Sequence, residues 1–222
     1  SSDSKDFTIG KAATTTTVTC PANVMFTGSP IELCSARATG VNGLDVPAGV
    51  TYSNNTMPGT ATANGSFTGS ANYAPSTGSA TFVIDGWTAR GFHQPVGIGN
   101  SVHLPNGGVI APDSKTVWNT AKGGATIPLK FNLFAGSAEL KDTKDIKGFS
   151  ATALTSCSAV VAGSDEVDIT TTGNTALRYD TTEGQFIQNW KTPTVKAGEA
   201  CYRATVTFQD GSTLSAFFKL RK

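Results

Sequence analysis

Residues 59–85 read GTATANGSFTGSANYAPSTGSATFVID, and their alternation limits what the chain can fold into. Ala61, Ala63, Gly65 and Phe67 fall on one side of an extended backbone, with Thr, Asn and Ser on the other. Ala80, Phe82 and Ile84 repeat the pattern. A period of two gives each face of a pleated strand its own set of side chains, whereas an amphipathic helix needs a period near 3.6. Upstream, TTTTVTC (14–20) is a β-branched strand ended by Pro21, MFTGSP turns at Gly28-Ser29-Pro30, and GVTYSNN (49–55) runs into an Asn-rich turn. Short strands at near-regular spacing with turn chemistry between them describe a β-sandwich. The 33 Thr and 24 Gly among 222 residues fit, since Thr favours strands and Gly serves turns.

Charge places a boundary. From Ala12 to Ile84 only Glu32, Arg37 and Asp45 are charged, whereas charges are frequent from Asp85 onward. That shift divides the chain near 85–90. Beyond it, GIGNSVHLPNGGVIAPDSK reads as loop or extended edge, and ATIPLKFNLF (125–134) is the clearest strand. Ile127, Leu129, Phe131 and Leu133 share one face, and Pro128 predicts an edge or a bulge. LRYD, QFIQNWKT, CYRATVTF and TLSAFFKL follow as strands, the last two joined by QDGS, whose Asp-Gly is a hairpin signal. Residues 137–147, bracketed by Gly136 and Gly148, have little apolar periodicity and read as a loop.

Cys20, Cys34, Cys157 and Cys201 lack the close spacing of zinc ligands. Two disulfides, one local to each half, suit the pattern better than buried thiols and imply an oxidising, extracellular setting. A bridge between Cys20 and Cys34 would staple the early strands. Net charge is +1 with no basic stripe, which argues against a nucleic-acid partner, and no run approaches the ~20 apolar residues of a membrane span.

Motifs in both halves resemble bacterial modules. Cys20-Pro21, Phe26-Thr27-Gly28, Cys34, Thr39-Gly40, Val50-Thr51-Tyr52, Gly59-Thr60-Ala61 and Ala71-Asn72-Tyr73 make residues 12–85 similar to an MBG-type bacterial immunoglobulin-like repeat. Pro128-Leu129-Lys130-Phe131, with FHQPV, TVWNTAKGGAT and AGEACYRATVTFQDGSTLSAFFKL, makes residues 86–222 resemble the PxKF module of secreted bacterial proteins. The resemblances imply an all-β chain of two tandem immunoglobulin-like β-sandwich domains, with Cys157 pairing to Cys201. They bring no functional residues with them.

The chemistry-bearing residues are sparse. His93 and His103 lie in Gly/Pro-rich sequence with no Gly-x-Ser-x-Gly elbow, so no Ser-His-Asp triad is legible. The acidic runs GSDEVDI (163–169) and ELKDTKD (139–145) read as solvated loops rather than glycosidase carboxylates. No cofactor is expected. Calcium at the DEVD run is a weak candidate, because the run lacks the spacing of a dedicated loop. Lys130 has a strand setting suited to an isopeptide crosslink but sits on the solvent side of its strand. Trp87, Trp118, Trp190 and Tyr202 are candidate sugar-stacking aromatics, weighed against Trp190 and Tyr202 filling the second core and Trp87 sealing the joint between domains.

The N-terminal SSDSKDFTIGK (1–11) aligns with STGSATFVIDG (76–86), setting Ser4 on Ser79, Phe7 on Phe82 and Ile9 on Ile84. It reads as the end of a preceding repeat, as the first strand of its own domain, or as a donor strand carrying Phe7 and Ile9 into a neighbour by β-strand addition. The expected function is a non-catalytic extracellular structural module: stalk, spacer, or filament or surface-layer unit. Its partners are then neighbouring domains or subunits of the same protein. A module binding cell-surface glycans is the alternative.

Overall fold

The Thr- and Ala-rich alternation forms six strands in the first unit of a computed structural model, which describes residues 9–97, 100–157, 166–167 and 177–222. They are β1 (Thr14–Thr19), β2 (Asn23–Met25), β3 (Ser35–Gly40), β4 (Leu44–Ser53), β5 (Gly59–Phe67) and β6 (Ser76–Asp85). Phe7 and most of the 163–169 acidic run lie outside the described residues. The chain divides into two compact units, the first ending at Asp85 and the second starting at Gly86.

In the first unit the strand order is β1-β3-β4-β5-β6-β2, and β4 serves two ladders. Leu44 to Ala48 pair with β3, and Gly49 to Ser53 pair with β5, so β4 passes from one sheet to the other. A strand that changes sheets forms a corner of a sandwich. The fold closes where β1 returns to the start of β6: Ala12 bridges Tyr73, and the Thr14 and Thr16 hydroxyls donate to the carbonyls of Ala74 and Ser76. The core is made of small residues, with Ala36, Ala38, Ala61 and Ala63 buried beside Phe82 and Ile84. The Cys20–Cys34 disulfide ties the end of β1 to the start of β3 across a Cα separation of 4.3 Å.

Gly65 and Gly78 stand opposite one another on β5 and β6. A Cβ on Gly65 would lie 2.6 Å from Cγ2 of Val18, and one on Gly78 would collide with the carbonyl oxygen of Thr16. The two bare positions therefore form the bed on which the β1 backbone rests.

The second unit contains β7 (Thr88–His93), β8 (Ser101–Leu104), β9 (Trp118–Lys122), β10 (Thr126–Ala135), β11 (Ala138–Leu140), β12 (Ile146–Leu154), β13 (Glu166–Val167), β14 (Arg178–Asp180), β15 (Gln185–Lys191), β16 (Glu199–Phe208) and β17 (Thr213–Arg221). One sheet runs β11-β10-β15-β14, with β7 along the other side of β10; the second runs β13-β12-β16-β17-β8, with β9 parallel to β17. Between them lie Leu129, Phe131, Leu133, Phe186, Trp190, Phe208, Leu214, Phe218 and Leu220, all nearly or fully buried. Each such side chain contributes about 1.5–3 kcal/mol on burial. The Cys157–Cys201 disulfide links the segment after β12 to β16. Both units are all-β sandwiches, and each contains its own disulfide.

Local expectations fared unevenly. Pro128 lies in the part of β10 that pairs with β15 but not with β7, and the ladder to β7 shifts register between Lys130 and Phe131. The expected loop over 137–147 instead holds β11, a 3-10 turn at Thr143–Asp145 and the start of β12. Gly136, at φ 61°, makes a two-residue reversal that lets Ala138 pair with Ala135, and pairing overrides the weak periodicity.

Replacing Gly78 with Ala should lower the stability of the first unit by about 1–3 kcal/mol through overpacking against β1. Gly10→Ala, where a Cβ meets nothing within 4 Å, should leave it unchanged. Denaturant midpoints of the two variants check this.

Candidate functional site

One cluster of polar side chains that pairing of the strands brings together lies on the second unit. On β10, Asn132 points away from the core and joins three elements. Its amide nitrogen donates to Oε1 of Glu139 (2.7 Å) and to the Gly184 carbonyl (2.6 Å), and its Oδ1 lies 2.7 Å from Nε2 of His93. With both donor contacts taken up by oxygens, the remaining amide atom is an acceptor, so His93 must carry its proton on Nε2. Lys141 lies 3.7 Å from Glu139 and over the ring of Tyr179. Sequence reading missed this cluster, because His93, Asn132 and Glu139 meet only through the pairing of β7, β10 and β11. Asn132 bonds both Glu139 and His93, which makes the cluster a brace across the sheet.

The candidate aromatics do not form one platform. Trp190 is fully buried, packing edge-on against Tyr202 and Phe218 at centroid distances of 5.9 and 5.0 Å. Trp87 is buried too, and its backbone N–H donates to Asp210 at 2.6 Å. Tyr202 is half-buried, and its ring is committed to Trp190. Trp118 is half-buried on β9, 5.6 Å from Phe217, with the Lys219 ammonium 5.3 Å from its ring centroid. It lies next in sequence to Val117, and its ring meets Phe217, two residues that line a cleft.

That cleft, of about 210 Å³, opens where β8 and β9 meet along β17. Phe217 forms its floor, Val102, Val117 and Ile110 its apolar sides, and Asp113, Lys115 and other polar groups its rim. The segment between the two strands crosses the sheet here, held by bonds from Arg203 to the Ile110 carbonyl and from Thr213 to that of Gly108. Asp113 accepts from the Thr116 hydroxyl and the Lys115 N–H, which keeps its carboxyl below the usual range. In the first unit, a depression of about 400 Å³ is lined by Asn54, Thr56, Met57 and neighbours.

Lys130 is half-buried, and Ile9 is 83% exposed outside the first core. Among the described residues, no group of three or more His, Cys, Asp or Glu could hold a metal ion. No helix of the described chain is long and apolar enough to cross a membrane.

No protein-family model matches the chain, and no curated protein matches it. Among solved structures, a titin fragment titled "Anomalous substructure of Titin-A168169" is similar over 96% of this chain and 97% of its own, at 10% identity and a TM-score of 0.27. A superposition that loose carries no argument.

One titratable group links this region to stability. His103, on β8 opposite Leu214, is half-buried, and its Nε2 has no hydrogen-bond partner among the described residues. Burial lowers its pKa below the usual 6.5, opposed in part by the negative charge of Asp210. Asp210 is itself buried and held by the Trp87 and Ser212 N–H groups and the Ser212 hydroxyl. A histidine that resists protonation when folded but accepts a proton when unfolded makes the unfolded state bind more protons in acid. Stability contributed by neutral His103 is therefore complete above about pH 6.5 and declines as pH falls below it, by at most about 1.4 kcal/mol per pH unit. Denaturant titrations of the second unit at about pH 7.5 and about pH 5.5 should show this loss, and His103→Gln should reduce it.

Proposed function

We propose that this chain is a non-catalytic structural segment of a secreted or cell-surface protein, acting as a spacer or assembly unit. The observation that carries the reading is that each of two successive β-sandwich units has its own core and its own disulfide. Such units suit an oxidising exterior, where bonds between cysteines persist. The motifs at Cys20-Pro21 and Thr39-Gly40, and those at Pro128-Leu129-Lys130-Phe131, support a reading as an MBG-type repeat followed by a PxKF-type module.

In this proposal the segment around Phe7 and Ile9 is donated to a neighbouring subunit. Its likeness to β6 supports this, as does the exposure of Ile9, which leaves that side chain without a place in the first unit's core. Deleting residues 1–11 should leave the melting of both units unchanged while abolishing end-to-end association, read by light scattering and electron microscopy. Equal association of the truncated and full chains would refute donation, and hydrolytic activity in the purified chain would refute the structural reading as a whole.

A further inference from the structure

The face of the β17 sheet turned away from the core holds a group of cations that the sequence scatters over a hundred residues. Side chains alternate along β17, with Leu214, Ala216, Phe218 and Leu220 buried toward the core, so Phe217, Lys219 and Arg221 point the other way. The register extends each of these into a row across three strands. Trp118, Phe217 and Arg203 form the first row, Thr120, Lys219 and Cys201 the second, and Lys122, Arg221 and Glu199 the third. Lys122 and Arg221 thus stand directly opposite each other with like charge, an unfavourable cross-strand pair. Glu199 sits 2.9 Å from Arg221 and offsets that one charge. Among the described residues, no carboxylate lies within ion-pair distance of Lys122 or Lys219. Lys115, exposed on the cleft rim, adds a further cation beyond Trp118, its charge partly offset by the neighbouring Asp113 carboxylate.

We infer that this strip and the cleft beside it bind an acidic polysaccharide, a linear glycan carrying a carboxylate or sulfate on its repeating units. The charges lie about 6.7 Å apart along β17 and about 4.8 Å across to β9, an array that engages a chain of anions rather than one isolated ion. The adjoining cleft supplies what a sugar ring needs besides charge: an apolar floor at Phe217, flanked by Val102 and Val117, and a polar rim for hydroxyls. Trp118 lies between the two, next to Phe217 and under the Lys219 ammonium. A single half-buried tryptophan does not provide the succession of aromatic faces on which a single-stranded nucleic acid stacks. With a net charge of +1 the chain also lacks the overall basic field of a nucleic-acid binder. The inference stands apart from the spacer reading, since a spacer with or without donated strands either binds such a polymer or does not.

The test titrates the full chain with polygalacturonate, dextran sulfate, neutral dextran and oligothymidylate at about 20 mM and about 200 mM salt, following affinity and melting temperature. Binding of either acidic glycan at low salt, weakened at high salt, is expected, with neutral dextran and oligothymidylate at least tenfold weaker. Which acidic glycan binds distinguishes a carboxylate from a sulfate source. Substituting exposed Lys122 and half-buried Lys219 together (Lys122→Gln with Lys219→Gln) should cost about tenfold in affinity with cooperative melting retained, whereas Lys141→Gln on the other sheet should cost nothing. No glycan binding at low salt would overturn the inference. So would equal binding of neutral dextran, oligothymidylate binding as tight as the glycans, or wild-type affinity in the double variant.

Discussion

The second unit depends on β17 being covered on both faces. Residues Thr213 through Phe218, and Leu220, are buried. The inward set packs against Trp190 and its neighbours, while Phe217, on the opposite face, is sealed by the segment that crosses between β8 and β9. Along its ladder edges β17 has β16 on one side, with β8 and then β9 end to end on the other. A strand buried on four sides is tolerable only if its polar groups are satisfied. The side chains comply: Ser215 bonds Thr205 at 2.8 Å, Thr213 bonds the Gly108 carbonyl, and Ser212 bonds Asp210 in the turn that opens the strand. The change from antiparallel β8 to parallel β9 is also what leaves a cleft over Phe217.

The first unit meets the same packing requirement with different residues. Its sheets are lined by alanine and closed over two facing glycines, so they approach closely and the large apolar side chains are few. Little apolar area is buried per strand, and compensation comes from threonine hydroxyls that bond β1 to β6 and from the disulfide at the end of β1. Under the loop-entropy account, closing a loop the size of that between Cys20 and Cys34 is worth about 3 kcal/mol, a large share of the stability of a small domain. The low charge and high Thr content of residues 12–84 are the sequence trace of this mode of packing.

Where one face of a strand is buried and the other solvated, burial and alternation are the same pattern and the sequence can disclose the strand. Ile127, Leu129, Phe131 and Leu133 are such a case, as are Ala61 and Ala63. β3 also alternates in burial, although it was not read as a strand. The Asp210-Gly211 turn was legible from its chemistry alone, although not that its carboxylate would be buried and bonded to the N–H of Trp87, more than a hundred residues away. β12 was not legible: Gly148 and its small residues blur the period, and a register shift after Ile146 breaks it. β7 and β9 were missed for a related reason, since they are short and take their conformation from the longer strands beside them, while β8 falls in the stretch read as loop or extended edge.

The candidate sites follow the same rule one level up. A catalytic motif on one loop is a local pattern that reading along a chain can find, whereas a surface assembled from Trp118, Lys122, Lys219 and Arg221 exists only once β9 has settled parallel to β17 in one register. Shifting β9 by one residue would turn Trp118 and Lys122 to the opposite face. The parallel pairing cannot be made by a hairpin, and the chain passes through β10 to β16 between the two strands that build the strip. Charge that is nearly balanced along the chain is thereby sorted by topology into a local excess. Any binding by this unit is then a property of its folded register, lost on unfolding and not carried by an isolated peptide.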